Sequence, residues 1–274
     1  MLSYIRIFAA VFLVLNSISV FADSLDLKGH FTQGGAVRGF LPPNSDITLD
    51  DRKVPQTPDG YFVFGFGRDA KSESVISWLS GEGVRQVKVL SISKREYPTQ
   101  RVEGVPQKTV TPAASKLERI RQEAALVRKA RAEQSGQVHF LSKFIVPLDG
   151  PITGVYGSQR VYNGVPKRPH FGIDYAAPTG TPVIAPAAAE VRLAHNNMYY
   201  SGGTLVMDHG YGLSSTFIHL SEILVKEGQK IKQGQVVGKV GAGGRASGPH
   251  LDWRLNWFEV RLDPALILDS ATFE

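Results

Sequence analysis

The 274 residues are enough for one large or two small domains, and 42% apolar with 20% charged residues is the composition of an ordinary globular protein. The absence of cysteine excludes disulfides, a thiol nucleophile, a cysteine zinc site and a lipid-bearing cysteine. A formal net charge of +6 without a dense basic stripe argues against nucleic acid as a partner and favours anionic wall polymers or membrane surfaces.

Residues 1–22 have the pattern of a secretory signal peptide. Arg6 provides a short positive region, IFAAVFLVL is an apolar run too short to span a bilayer, and the small residue Ala22 precedes Asp23. We predict cleavage after Ala22 and export to the bacterial periplasm or cell envelope, with no transmembrane segment after signal removal. A short uncleaved anchor is the alternative interpretation.

Short β-rich runs occupy residues 23–97. LDLKGHF, DITLDD, GYFVFGF and VRQVKVLSIS alternate in polarity or are rich in β-forming residues, and PPNSD and TPDG supply turns. This pattern predicts a small immunoglobulin-like β-sandwich, and it contains no cluster of catalytic residues.

Residues 98–137 are predicted to be a linker followed by a charged amphipathic helix. PTQRVEGVPQKTVTPAA contains three prolines and no periodicity, which indicates a linker. Ser115 and Glu118 have the spacing of a capping box, which predicts a helix over 115–134. Its weak apolar stripe is predicted to consist of Leu117, Ile120, Ala124 and Val127. We expect this stripe to pack on a neighbouring element, and a partner-binding arm is the alternative.

Residues 138–274 are predicted to form a second, mostly antiparallel β domain. VIAPAAAEVRLA, GGTLVMDHG, LSSTFIHL and KIKQGQVVGKVG are strand-like runs separated by glycine-rich turns. Trp253 and Trp257 are expected to pack in its core, and His209 to have a structural role. The chain as a whole is therefore predicted to belong to the all-β class, with one connecting helix.

Five side chains in this second half could carry chemistry. They are His170 and Asp174 in PHFGID, His219 in TFIHLS, and His250 and Asp252 in PHLDW. Hydrolytic zinc sites use three histidine or carboxylate ligands and leave one position for water. Four residues of flat strand span about 13 Å, so two side chains on it would barely reach one ion. We therefore predict a bend or bulge at Gly172.

The segments HFGIDYAAPTGTPVIAP, FIHLS and GRASGPHLDW resemble the lysostaphin-type, or LytM-type, peptidoglycan metalloendopeptidases. The resemblance runs from about residue 147 to 266. It implies an activity that cuts peptide bridges or stems of bacterial cell walls, with peptidoglycan as the substrate and one zinc ion as the cofactor.

The resemblance also assigns site residues. The metal ligands of the family fall on His170, Asp174 and Asp252, and its two catalytic histidines fall on His219 and His250. Arg160 and Asn163 in GSQRVYNG lie where the family's groove begins, which makes them candidate substrate contacts.

Asp252 departs from the family, which has a histidine at this position. A carboxylate can bind zinc, so three ligands remain. Two aspartates and one histidine would, however, make a zinc centre formally neutral, and we expect such a centre to acidify water less. Ligation that is richer in oxygen also lowers the preference for zinc over a harder divalent ion.

Two other functions remain open at this stage. A non-catalytic protein of the same fold could activate another cell-wall hydrolase, and Asp252 paired with Arg254 would then leave the site without a metal. A lipoyl- or biotinyl-type carrier domain is disfavoured, because the chain has no lysine on a tight hairpin between TGTPVIAPAAAEV and VKEGQKIKQGQVVG.

Overall fold

The computed structural model describes residues 25–105, 107–133 and 135–273. The predicted signal peptide at residues 1–22 lies outside the described residues. Within the part of the chain that is described, no helix has the length and hydropathy needed to cross a membrane.

Seven strands form two antiparallel sheets in the N-terminal part of the chain. One sheet has the order β1-β2-β5 and the other β4-β3-β6-β7, which corresponds to the A-B-E and C′-C-F-G sheets of an immunoglobulin-like sandwich. The strands are β1 (Asp26–Gly29), β2 (Ala36–Phe40), β3 (Thr48–Leu49), β4 (Arg52–Lys53), β5 (Tyr61–Gly65), β6 (Glu73–Leu79) and β7 (Arg85–Ser91).

The segment predicted as a linker is not a bare connection. It contains the strand β8 (Thr99–Val102) and the short helix α1 (Gln107–Val110). β8 pairs in parallel with a strand at residues 159–162. No local pattern indicates this strand, because TQRV does not alternate in polarity and its pairing partner lies far away along the chain.

A helix follows, as predicted, but its start and its buried face differ from the prediction. After a 3₁₀ turn (Ala114–Lys116), α2 (Leu117–Ala132) begins without a side-chain cap, so the predicted capping box at Ser115 and Glu118 is not formed. Leu117 is exposed, whereas Val127 and Ala130 pack on the following domain. The packed face also carries Glu123, which accepts a hydrogen bond from the backbone of Tyr199.

The C-terminal part is built on one large sheet, in agreement with the predicted antiparallel β domain. After a 3₁₀ turn (His139–Leu141) its strands have the order β18-β14-β15-β16-β20-β12-β9, with β21 added on β20. A small sheet, β13-β19-β17, and the pair β10-β11 lie beside it. The strands are β9 (Ile152–Gly154), β10 (Gln159–Tyr162), β11 (Val165–Pro166), β12 (Ile173–Ala176), β13 (Pro182–Ile184), β14 (Ala189–Met198), β15 (Gly202–Gly210), β16 (Leu213–Leu220), β17 (Glu222–Ile223), β18 (Lys230–Ile231), β19 (Val236–Lys239), β20 (His250–Trp257) and β21 (Val260–Leu262), followed by α3 (Pro264–Leu268).

The sandwich and the large sheet share one hydrophobic core. Phe62 and Phe64 of the sandwich belong to the same cluster of buried side chains as Trp253 and Trp257 of β20, and both tryptophans are buried, as predicted. Arg38 adds a polar link, because its guanidinium donates to the backbone carbonyls of residues 140, 142 and 271. The sandwich is therefore held against the rest of the chain by both apolar packing and hydrogen bonds.

Candidate metal site and catalytic cleft

Three of the predicted site residues meet on the central strands of the large sheet. Asp174 of β12 and Asp252 of β20 are direct partners in the antiparallel register. Side chains at such paired positions project from the same face of a sheet, with Cβ atoms about 5 Å apart. His170 approaches the two carboxylates from the loop that leads into β12.

The predicted bend at Gly172 is confirmed, since the chain bends there and the strand begins at Ile173. The bend brings His170 Nε2 to 3.1 Å from Asp174 Oδ1 and to 3.3 Å from Asp252 Oδ2. A Cβ at position 172 would overlap Asp252 Oδ1, so glycine is required by this close approach. A Cβ at position 154 would likewise overlap Asp174 Oδ2.

The geometry of these three side chains fits a divalent cation. One ligand atom from each of His170, Asp174 and Asp252 lies within 4.8 Å of the others, and all three residues are buried. Ligand atoms around a tetrahedral ion at about 2 Å would be roughly 3 to 4 Å apart. Asp174 Oδ1 is buried, and in the described part of the chain no donor, including His170 Nε2 at 3.1 Å, meets it in hydrogen-bond geometry. A cation among these atoms would satisfy it.

His170 is held with one ring nitrogen turned to the carboxylates. Its Nδ1 lies 3.2 Å from the carbonyl oxygen of Val155, a contact that is satisfied when Nδ1 carries the proton. With a metal bound, Nε2 would direct its lone pair at the ion, which is the usual arrangement of a histidine that binds a metal. Burial alone would lower the pKa of His170, but the negative charges of Asp252 and Asp174 raise it overall.

Each of the two carboxylates is also paired with an arginine. Arg160 Nη2 donates to Asp174 Oδ2 at 2.8 Å, and Arg254 Nη2 donates to Asp252 Oδ2 at 2.6 Å. Burial opposes ionisation of Asp252, but the charges of Arg254 and His170 hold its pKa well below the usual range. The pKa of Asp174 is lowered as well, since His170 more than offsets its burial. Both carboxylates are therefore ionised and able to bind a cation.

The two remaining predicted histidines lie side by side at the edge of this group. The rings of His219 and His250 are 4.8 Å apart, and His250 Nε2 is 3.8 Å from Asp174 Oδ1. His219 Nδ1 lies 2.7 Å from the carbonyl oxygen of Gly243, and His250 Nδ1 lies 2.8 Å from that of Gly248. In each ring a proton on Nδ1 satisfies this contact and leaves Nε2 as a proton acceptor. Burial lowers the pKa of His219 to about 4, so this imidazole is neutral at neutral pH.

These groups line one pocket of about 300 Å³. Its wall includes Gln100, Val102 and Val105, which belong to the segment that was predicted to be a linker. Three guanidinium groups and two carboxylates face it, so these five groups together carry one excess positive charge. The charged residues are Arg160, Arg245, Arg254, Asp174 and Asp252.

The two candidate substrate contacts have different positions. Arg160 lines the pocket, and the structure adds its ion pair with Asp174. Asn163 does not line it: its side chain donates to the carbonyl of Val105 and accepts from the NH of the same residue. A substrate contact at Asn163 stays a prediction, and the hydrogen bonds to the distant residue Val105 already engage its amide.

Some functional candidates were not found from the sequence. Arg254 was considered only as a competing partner of Asp252, and Arg245, Tyr162 and Tyr200 were not considered at all. Arg245 stands in the quoted motif GRASGPH, so the available signal was an arginine five residues before the candidate catalytic His250.

The sheet brings one histidine and two carboxylates together beside two further histidines, and these are the ligand types that hydrolytic metal sites use. Residues 168–264 match Peptidase family M23. The LytM-type resemblance seen in the sequence is therefore confirmed over this stretch of the chain.

Two curated proteins illustrate the relationship. Peptidoglycan DD-endopeptidase ShyA of Vibrio cholerae is 44% identical over 87 residues, which are 32% of this chain and 20% of that protein. Cell division protein DipM of Caulobacter vibrioides is 32% identical over 162 residues, which are 59% of this chain and 25% of that protein. The chain thus matches a quarter or less of the length of either relative.

A solved structure resembles more of the chain. A crystal structure described as a candidate peptidase M23 from Pseudomonas aeruginosa has 29% sequence identity and a TM-score of 0.67. The match covers 87% of this chain and 95% of that chain. The shared fold therefore extends well beyond residues 168–264.

Proposed function

We propose that this chain is an exported, zinc-dependent endopeptidase that cleaves peptide cross-links or stems of bacterial peptidoglycan. One observation carries the proposal: His170, Asp174 and Asp252 converge within 4.8 Å in a pocket that also contains two histidines. Similarity to relatives named peptidoglycan DD-endopeptidase supports the substrate class.

His170, Asp174 and Asp252 would hold the metal. Bound zinc would supply a Lewis acid that polarises the scissile carbonyl and lowers the pKa of a water molecule. Two carboxylates among three ligands also suit a harder divalent ion, so zinc is the first ion to test and manganese the second.

His219 and His250 would transfer the proton of the attacking water. Both rings offer Nε2 as an acceptor once Nδ1 donates to its backbone carbonyl. His219 stays neutral because it is buried, so its Nε2 can accept a hydrogen bond that orients the attacking water, while the low pKa makes it a weak proton acceptor. Once protonated, either ring can donate a hydrogen bond to the oxygen that gains negative charge. These two adjacent side chains would thus share proton transfer and stabilisation of the negatively charged oxygen.

The first experiment is the zinc content of the purified protein, with and without the substitution Asp252→Ala. The proposal requires close to one zinc per wild-type chain and a clear loss in the variant. Asp69→Ala is the control, because that carboxylate is exposed and pairs only with Arg68 within the described structure. Equal zinc in all three proteins would remove Asp252 from the ligands.

The second experiment measures activity. Zinc-loaded protein is incubated with purified sacculi, and newly exposed amino groups are counted. New amino groups that disappear after treatment with a chelator support the proposal. Zinc-loaded protein that releases none contradicts it.

One observation favours a second function, a non-catalytic protein that activates another cell-wall hydrolase. Arg254 donates to both oxygens of Asp252, which is the pairing expected if Asp252 did not bind a metal. This alternative predicts no cleavage by the protein alone and faster release of wall fragments when a purified cell-wall hydrolase is added. The same sacculus assay, run with and without that hydrolase, separates the two functions.

A further inference from the structure

One arginine in the pocket has no counter-ion in the described part of the chain. Among the residues that the structure describes, Arg160 pairs with Asp174 and Arg254 with Asp252, whereas no carboxylate lies within ion-pair distance of Arg245. Arg245 lines the same pocket and is itself partly buried. An unpaired charge in a partly buried site is costly unless a ligand compensates it.

The guanidinium of Arg245 is held in place by two tyrosines. Its Cζ lies 5.0 Å from the ring centroid of Tyr162 and 4.8 Å from that of Tyr200. Such cation–π contacts fix the position of a guanidinium but do not use its N–H donors. Both rings also line the pocket, so the donors of Arg245 are held at its wall.

The loop that carries Arg245 is fixed by its backbone. The NH of Arg245 donates to the carbonyl oxygen of Tyr200 at 2.8 Å. Gly244 has a φ of 74°, and a Cβ there would overlap the same carbonyl oxygen. The loop therefore packs backbone to backbone against residue 200, and the side chain of Arg245 is oriented before any ligand arrives.

The charge of the surroundings points to an anionic ligand. Burial lowers the pKa of Arg245, and the nearby charges of Arg254 and Arg160 lower it further. Arginine nevertheless stays protonated in proteins, so the pocket keeps an excess positive charge that a divalent metal would increase. A carboxylate matches the planar fork of the guanidinium and would relieve both burial and repulsion.

We propose that Arg245, held against Tyr162 and Tyr200, is a subsite for a free carboxylate group of the peptide that binds in this pocket. The subsite deepens the proposed function, because it selects peptides with an ionised carboxylate close to the bond that is cut. The carboxylate has two sources, the C-terminus of the peptide or an acidic side chain. Arg245 is a specificity-determining residue here and takes no part in proton transfer.

The test compares peptides that differ only in this group. Cross-linked peptides are prepared with all carboxylates free, with only the C-terminal carboxylates amidated, or with only the side-chain carboxylates amidated. Their affinities for the full chain are measured by calorimetry in the presence of a chelator, so that binding is observed without cleavage. Zinc-loaded protein is then used to measure kcat and KM for the same peptides.

We expect amidation of one of the two carboxylate classes to weaken binding to the wild-type chain about ten- to a hundredfold, the range for a charge-assisted hydrogen bond. The sensitive class identifies the source. Arg245→Gln should bind the free and amidated peptides equally, and Arg245→Lys should keep part of the preference because it keeps the charge. The matched control is Arg261→Gln, since Arg261 stacks on Phe171 but does not line the pocket.

Several results would overturn the subsite. These are no preference for the free carboxylate in the wild-type chain, an unchanged preference in Arg245→Gln, or no measurable binding of any peptide. If Arg245 had only a structural role, Arg245→Gln would weaken the binding of free and amidated peptides equally. The comparison therefore distinguishes a structural role from a carboxylate subsite. Cleavage without a carboxylate preference rejects the subsite alone, whereas a preference without cleavage rejects only the enzymatic function.

Discussion

Arg254 engages both carboxylate oxygens of Asp252, with Nε 3.0 Å from Oδ1 and Nη2 2.6 Å from Oδ2. The two residues stand two positions apart on β20, so their side chains project from the same face of the strand. Arg160 provides a comparable partner for Asp174. The sequence suggested that a second aspartate would leave a zinc centre with no net charge. The two guanidinium groups offset that added negative charge. Their positions beside the carboxylates were not part of the expectation from the sequence.

The Arg254–Asp252 pair gives a first prediction. Arg254→Met should destabilise the metal-free protein by about 3 kcal/mol, because it removes the guanidinium that pairs with a buried carboxylate. If Asp252 binds zinc, the metal replaces the lost positive charge, and zinc should stabilise the variant more than it stabilises the wild type. Urea unfolding with zinc and with a chelator measures both effects.

The control for this prediction is Arg85→Met, which removes an exposed ion pair with Asp46 in the sandwich. We expect little change there and no dependence on zinc. A loss of stability in Arg254→Met that zinc does not restore would show that Asp252 is not a ligand.

The second prediction concerns the adjacent histidines. His219→Gln and His250→Gln should each lower kcat by a factor of about 10² to 10⁴, the usual contribution of a positioned acid or base. Zinc content should stay at the wild-type level, since neither side chain belongs to the group of three close ligand atoms. The measurements are release of amino groups from sacculi and zinc by mass spectrometry.

His195→Gln serves as the control for these two variants, because His195 lies outside the pocket on β14. We expect its activity to be unchanged. Loss of zinc from His250→Gln would instead make His250 a ligand and require a different assignment of the proton acceptor.

The third prediction uses the bend before β12. Gly172→Ala should weaken zinc binding, because the added Cβ overlaps Asp252 Oδ1 and forces the carboxylate or the bend to move. A misplaced ligand group should lower zinc affinity at least tenfold, by analogy with changes to groups that orient metal ligands. Competition with a chromophoric chelator gives the affinity.

Gly136→Ala is the matched control, since no atom of the described residues lies within 4 Å of a Cβ at that position. An affinity of Gly172→Ala equal to that of Gly136→Ala would mean that the metal does not use the arrangement described for Asp252.

The fourth prediction concerns His209, the structural histidine. Its Nδ1 lies 2.9 Å from the carbonyl oxygen of Ala188, and its Nε2 lies 2.8 Å from Ser215 Oγ, which also accepts from Trp253 Nε1. Burial lowers the pKa of His209 from 6.5 to about 4. The unfolded chain therefore binds more protons than the folded chain between these two pH values, and stability falls as the pH falls through this window.

The predicted size of this effect is roughly 3 kcal/mol, lost between about pH 6.5 and pH 4. His209→Gln cannot titrate, so the stability difference between the wild type and this variant should shrink by that amount as the pH falls. Urea unfolding at several pH values, with chelator present throughout, measures the difference. A difference that does not depend on pH would refute the buried, neutral state of His209.

The sequence by itself determined the class of fold and the chemical types in the site. Alternating polarity and glycine-rich turns indicated β structure in both halves, because these patterns follow from local backbone geometry. The distance that a flat strand spans between His170 and Asp174 required a bend, and Gly172 was the residue able to make it. The resemblance then assigned the candidate ligands and catalytic histidines.

Tertiary structure alone decided which neighbours these residues have. β8 forms only because a strand some 60 residues later pairs with it, and its polar sequence does not predict this pairing. α2 buries Val127 and Ala130 instead of Leu117 because packing on the large sheet outweighs a weak apolar stripe and an unused capping motif.

The same reason applies to the arginines. Local sequence gives residue types and spacing, but the partner of a charge depends on segments brought together by the fold. Arg160 and Arg254 therefore form ion pairs with Asp174 and Asp252. Arg245 instead packs against two tyrosines at the wall of the pocket. The charge of this pocket is a property of the folded chain that no single stretch of the sequence contains.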